Sequence, residues 1–284
     1  MIRSLPTSRP YRWSFNLFII FYFIFLFAPL AVTCFLAFNN SNFPGLPWRG
    51  FSLDWFLSSG PERVGFFHDE QNLRAMWTSF QTAFFVALFS LAVGVCAAFL
   101  FEQEDFPGKG FLYFLMLAPL VIPGVILGIS ILLAANTAGT FAEEVLGWDI
   151  EIFRPSFWLV VLGQFSFIST FVALVVSARL RRFDRSLEEA ALNLGANRFE
   201  VIWHITLKFL RPAIIGSAAV SFLMSFENFN TTLFLVGSEP TLPVNLYLQV
   251  RDGSTPVINA ISLVLIVGTS VLALFNLYFS KKAD

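Results

Sequence analysis

A carboxylate set inside a long apolar stretch is the residue of this chain best placed to do chemistry. Glu227 lies within the stretch Pro212 to Val236. A charge at the centre of a membrane-spanning helix costs about 2.5 to 3.5 kcal/mol even on the mild insertion scale, so such a residue faces a cavity or a partner. Asn228 and Asn230 stand beside it, and Gln164 interrupts another apolar stretch. Together they offer one negative charge and several amides, which is the chemistry that receives a cationic, amine-bearing solute along a translocation path. The same residues also fit a structural ion pair, a hydrogen bond to a partner subunit, or a helix that ends before Glu227 and leaves it near the external surface. Ser166, Ser169 and Thr170 fit helix packing by default, because their hydroxyls bond their own helix or a neighbour.

Other chemistries find less support. Cys34 and Cys96 both fall in apolar stretches, where small buried side chains are expected in place of a redox pair. His68 and His204 lie far apart with no Cys or carboxylate cluster at metal-ligand spacing, so no metal site is expected. A lone Glu227 supplies neither the paired carboxylates nor the nucleophile and base of an intramembrane enzyme. The sequence holds no phosphate loop of the GxxxxGK[ST] type, so no catalytic site and no cofactor are expected in this chain, and energy must enter from a partner.

The second informative region is the polar stretch 179–211. Ser186 followed three residues later by Glu189 reads as a reciprocal capping box that opens a helix. Leu187, Ala190 or Ala191, and Leu194 then share one face, and Gly195 suits a left-handed stop. Asn197 with Glu200 repeats the capping pattern and opens a second helix through Val201, Ile202 and Ile205 toward Pro212. A short rigid helix carrying Glu189, Ala190 and Ala191 admits close approach of a docking partner. A helix lying on the inner leaflet, with Arg181, Arg182 and Arg185 against lipid, fits the same pattern.

These residues must be positioned by helices in lipid. Of 284 residues 56% are hydrophobic, only 13% are charged and 37 are Phe, too much apolar surface for one water-soluble core. A bilayer core of about 30 Å takes roughly 20 apolar residues per crossing. Stretches that qualify are Ser14 to Phe38, Ser79 to Phe101, Leu112 to Ala135, Phe157 to Ala178, Pro212 to Val236 and Val257 to Phe279. The expected fold is therefore an all-α integral membrane protein of six transmembrane helices, with Pro29, Pro119 and Pro123 tolerated as kinks. The first stretch is longer than a signal-peptide core and no small-residue cleavage site follows, so it counts as a helix.

Lysine and arginine set the orientation. Thirteen lie on one side of the membrane and five on the other, which places both termini in the cytoplasm. The domain plan is then a cytoplasmic segment 1–13, a transmembrane domain 14–279 with an external loop 39–78 and a cytoplasmic loop 179–211, and a cytoplasmic tail 280–284. The loop 136–156 carries Glu143, Glu144, Asp149 and Glu151 against Arg154 alone, an acidic external rim.

The stretch Glu189-Ala190-Ala191, Gly195 and Ile205-Thr206-Leu207 resembles the EAA signature of permease subunits in binding-protein-dependent ABC importers. Lys208 stands where that family usually has proline. The likeness runs from about Trp77 to Phe279. Within the family the chain is similar to the second permease of spermidine/putrescine importers, through Ser225-Phe226-Glu227-Asn228, Leu242-Pro243-Val244-Asn245-Leu246-Tyr247 and Pro256-Val257-Ile258-Asn259-Ala260. Asn228 replaces the second acidic residue of that subgroup. The resemblance implies that Ser186, Glu189, Ala190, Ala191 and Gly195 belong to a coupling helix seated on a dimer of cytoplasmic ATPase subunits, which hold ATP and Mg. It further implies a second homologous permease subunit, an external substrate-binding protein, and residence in a bacterial inner membrane. Nucleic acid is not an expected partner. The rival readings are an ABC permease for another small solute, such as an amino-acid derivative, and an ion-coupled secondary transporter, which would carry inverted repeats and broken helices.

Overall fold

The computed structural model describes residues 9–60, 63–253 and 255–281. Helices dominate, and the described residues contain only isolated β-bridges, Asn39 with Phe51 and Ser59 with Val64. In chain order the helices are α1 (Arg9–Leu36), α2 (Asp54–Leu57), α3 (Glu70–Gln103), α4 (Lys109–Val121), α5 (Gly124–Leu146), α6 (Phe157–Leu180) and α7 (Ser186–Asn193). They are followed by α8 (Arg198–Val201), a π-turn Ile202–Thr206, α9 (Leu207–Phe226), α10 (Thr232–Leu235), α11 (Leu242–Gly253) and α12 (Val257–Lys281).

Among the described residues five helices are long and apolar enough to cross a membrane: α1, α3, α5, α6 and the continuous run Arg198–Phe226. The 25 residues of α12 give it the length of a further crossing, about 38 Å at 1.5 Å per residue. Two of the expected spans differ in form. Leu112 to Ala135 is not one kinked helix but α4 and α5, parted at Ile122, whose ψ of 129° is extended. Proline 123 is the cause, because its ring drives the preceding residue out of the helical region. Pro119, by contrast, stays inside α4. The fifth span starts earlier than Pro212, which lies within α9, and stops at Phe226 instead of continuing to Val236.

The chain divides into two compact units. The first comprises residues 1–70 and 249–268. In it α1 buries none of its apolar window, so its Phe-rich surface belongs against lipid or another chain. The segment after α1 is ordered around Asn39, whose Nδ2 donates to the carbonyls of Gly45 and Pro47 and whose Oδ1 accepts from Arg49 N at 2.8 Å. Asn259 Nδ2 donates to Pro44 O in the same unit.

The second unit comprises residues 71–248 and 269–284. Its hub is α6, 56% buried along its apolar window against 22% for the run leading into α9. Val172, Val176, Leu180 and Phe183 pack with Ala98 of α3 and Leu210 of α9. Gly94 lets α3 approach α6 closely, since a methyl there would lie 2.7 Å from Val172 Cβ.

Candidate functional site: a broken helix and a short hairpin

The end of α9 is a designed break. Glu227 is the C-cap of α9, the helix lapses over residues 228–230, and Thr231, already helical in φ and ψ, leads into α10 at Thr232. Irregular backbone inside a membrane protein is confined to places held by protein or lined by water, and here the side chain of Gln164 of α6 ties together hydroxyls on both sides of the break. Its side chain is fully buried. Ser225 Oγ, on the last turn of α9, donates to Gln164 Oε1. Gln164 Nε2 donates to Thr232 Oγ1 at 2.7 Å, and that hydroxyl donates to Asn228 Oδ1 at 3.0 Å. One amide thus bridges both lips of the break in a directional relay.

Glycines bring the backbone in. A methyl on Gly128 of α5 would sit 2.7 Å from Thr231 O, and one on Gly124 would sit 3.1 Å from Asn230 Cβ. The glycine pair, spaced one helical turn apart, is therefore the seat of the broken segment within this subunit. Gly163 of α6 instead makes room for the Leu235 side chain of α10.

The four path residues expected from sequence separate into two pairs. Gln164 and Asn228 are joined through Thr232. Glu227 and Asn230 are exposed on the surface of the unit. Among the described residues none hydrogen-bonds or ion-pairs with the exposed Glu227 carboxylate, so its charge is turned toward whatever surrounds the chain. The expectation that missed Ser225 and Thr232 had a signal available, the polar run Asn228, Asn230, Thr231 and Thr232 inside an apolar stretch. The acidic rim is partly neutralised, Arg154 Nη2 lying 2.9 Å from Asp149 Oδ1 beside a cavity of about 160 Å³.

The second candidate region is the hairpin of α7 and α8. Ser186, Glu189 and Ala190 are exposed and Ala191 is half-buried. Ser186 is the first residue of α7 and not its cap, so the expected Ser186–Glu189 capping box does not form. Asp184 wins because it stands two residues earlier and its Oδ1 accepts directly from Ser186 N at 3.0 Å. The Ser186 hydroxyl, followed by that backbone N–H, holds the Asp184 carboxyl below its ordinary value. The second expected box does form: Asn197 Oδ1 accepts from Glu200 N and Glu200 Oε2 accepts from Asn197 N, both at 2.9 Å. Gly195 adopts φ +93°, the left-handed stop that only glycine takes without strain.

Charges tie the ends of α6, α3 and α9 to one another and, through Arg185, to the start of α7. Arg181 binds Glu102 of α3 in a fork, Nε at 2.9 Å and Nη2 at 2.8 Å from Oε1. The Glu102 hydrogen bond, then its charge, raises the Arg181 guanidinium above its ordinary value. Arg185 Nη2 donates to Glu102 O at 2.7 Å. Arg179 stacks over Phe209 of α9 at 4.3 Å.

Comparison with known proteins agrees with this architecture. The sequence profile described as "Binding-protein-dependent transport system inner membrane component" matches residues 90–283. The putrescine transport system permease protein of Escherichia coli K12 is 30% identical over 286 residues, spanning 100% of this chain and 95% of the relative. The spermidine/putrescine transport system permease protein of the same strain is 26% identical over 253 residues, 89% of this chain and 88% of the relative. Among solved structures, a chain of a bacterial ABC transporter involved in import of the acidic polysaccharide alginate superposes with a TM-score of 0.77 at 19% identity, covering 95% of this chain and 94% of its own. That last likeness is one of fold.

Proposed function

The chain belongs to the family of binding-protein-dependent transport system inner membrane components, and from that premise we propose that it forms half of the path by which an ATP-driven importer moves a small cationic amine of polyamine type. The observation that carries the substrate reading is Glu227: a carboxylate at the C-terminal, negative end of α9, exposed on the unit surface beside Asn230. Helix C-termini and carboxylates both favour cations. The whole-length likeness to a putrescine permease supports the same class of solute.

In this reading Gln164, Ser225, Thr232 and Asn228 hold the break rigid, while Glu227 and Asn230 face a lumen completed by a second, homologous permease subunit. An external binding protein delivers the solute. Both termini lie in the cytoplasm of a bacterium, and α7 docks on a dimer of cytoplasmic ATPase subunits that hold ATP and Mg. Closure of that dimer moves α7, and α9 with the helices packed on α6 follows, exposing the path to the outside. A docked helix transmits such motion where a disordered loop would not.

The test is putrescine uptake into vesicles carrying the complete importer, comparing wild type with Glu227→Gln. Retained assembly and ATP hydrolysis with uptake reduced about tenfold or more, the loss of one charged contact, supports the reading. Unchanged uptake assigns Glu227 a structural role and removes the case for a cationic solute from this site.

A further inference from the structure

We propose that Glu188 and Thr206 form a strut that makes α7 and α9 move as one body, Glu188 acting as a positioning residue distinct from its neighbour Glu189. The proposal rests on the reading of α7 as the ATPase-docking helix.

Consecutive residues on a helix point about 100° apart, and the two glutamates divide accordingly. Glu189 is exposed, whereas Glu188 is half-buried and accepts a hydrogen bond from Thr206 Oγ1. Thr206 is fully buried and closes the π-turn that joins α8 to α9. Its bond runs between two helices, as does that of Thr170 to Met116 O, and ends on a carboxylate. Thr33, Thr137 and Thr140 each return their hydroxyl to the carbonyl four residues back in their own helix, the ordinary habit of threonine on a helix. Thr206 instead crosses to another helix and to a carboxylate, and a hydrogen bond to an ionised group is shorter and stronger than a neutral one.

A link of this kind matters because little else holds α7. The helix has 8 residues, none of them buried, and isolated helices of that length are marginal. Arg185 ties its N-terminal end to Glu102 of α3, and the Gly195 turn leads on to α8. Glu188 ties its middle to the helical line of α9. Without that tie a push on the exposed face bends the hairpin about the Gly195 turn instead of displacing α9. The π-turn places the joint where an extra residue has already loosened the helix, a location common at functional sites.

The test uses the complete importer in lipid nanodiscs, with Cys34 and Cys96 replaced by alanine and Asn230→Cys as the reporter for water-soluble maleimide. In this background, trapping with ATP and vanadate is expected to change the labelling rate about fivefold. Thr206→Val and Glu188→Ala are expected to abolish that response while assembly and ATP hydrolysis stay at the background level. Thr206→Ser and Glu188→Gln, which keep donor and acceptor, are expected to retain it. The strut is overturned if Thr206→Val responds like the background, or if labelling and ATP hydrolysis fall together in both variants. Glu189→Arg separates the underlying reading: loss of ATPase assembly upholds docking by α7, whereas intact assembly with a normal response rejects docking and the strut with it.

Discussion

Gln164 Nε2 on α6 donates to Thr232 Oγ1 on α10 at 2.7 Å, while its Oε1 accepts from Ser225 on α9. A buried amide whose two ends engage opposite sides of a helix break acts as a splint. Removing it leaves the buried Ser225 hydroxyl without its partner, at a cost of about 1 to 3 kcal/mol, and takes from Thr232 its donor while Asn228 still accepts from it. Gln164→Leu is therefore expected to destabilise the solubilised protein by about 2 to 4 kcal/mol, seen as a lower thermal midpoint. Thr232→Val is expected to cost less. A Gln164→Leu protein as stable as wild type would mean the break is held by the glycine seat alone.

The glycine seat makes a separable prediction. At Gly128 an added methyl meets the backbone oxygen of Thr231, which is fixed by the chain around it. At Gly163 it meets Leu235 Cδ1, the far end of a flexible side chain. Gly128→Ala is expected to cost about 1 to 3 kcal/mol by overpacking and Gly163→Ala less, as read by thermal unfolding in detergent. The reverse order would show that the segment from Asn230 to Thr231 moves away from α5 at little cost.

Hydropathy made the spans legible, and the contrast between the two breaks shows its limit. Pro123 marks the parting of α4 from α5 in the sequence, through the restriction it places on Ile122. At the end of α9 the polar run Glu227, Asn228, Asn230, Thr231 and Thr232 is the only mark, and Phe226, Phe229, Leu233 and Phe234 keep the average apolar enough to read as one continuous span. What ends the helix is tertiary: Gly124 and Gly128 on α5 and Gln164 on α6 receive the broken backbone, and these stand 61 or more residues away in sequence. The hairpin was legible where one motif acted alone, as at Asn197 with Glu200. It was misread where two candidates competed, since Asp184 reached the α7 amide before Ser186 could serve as cap.

That competition has a pH signature. The folded pKa of Asp184 is depressed from its ordinary 3.8, so its contribution is present above the unfolded value and is lost as pH falls through the folded one. The amides at the start of α7 are expected to keep their hydrogen-exchange protection from neutral pH down to about pH 4 and to lose it below. Asp184→Ala is expected to show the acid behaviour already at neutral pH, while Ser186→Ala retains most of the protection because the backbone bond to Asp184 survives. Equal loss in both variants would return the cap to the serine hydroxyl.

The last prediction concerns the exposed face of α7. Ala190 is exposed beside Glu189, with Leu187 and Leu194 also uncovered at 51% and 89%. Apolar side chains left open on a short helix, next to a charge and a small residue, suit a groove that admits the helix closely. A bulky residue at Ala190 then blocks entry without touching the interior, so Ala190→Trp is expected to leave thermal unfolding of this chain within about 0.5 kcal/mol of wild type. Copurification with the ATPase is expected to fall about tenfold or more, since steric overlap in a packed interface costs on the order of 1.4 kcal/mol or above. Lys208→Ala, on α9 beyond the hairpin, serves as the comparison and is expected to copurify normally. If Ala190→Trp binds the ATPase as wild type does, the open face of α7 lies against lipid headgroups, and fluorescence of the introduced tryptophan would then be quenched by brominated lipid.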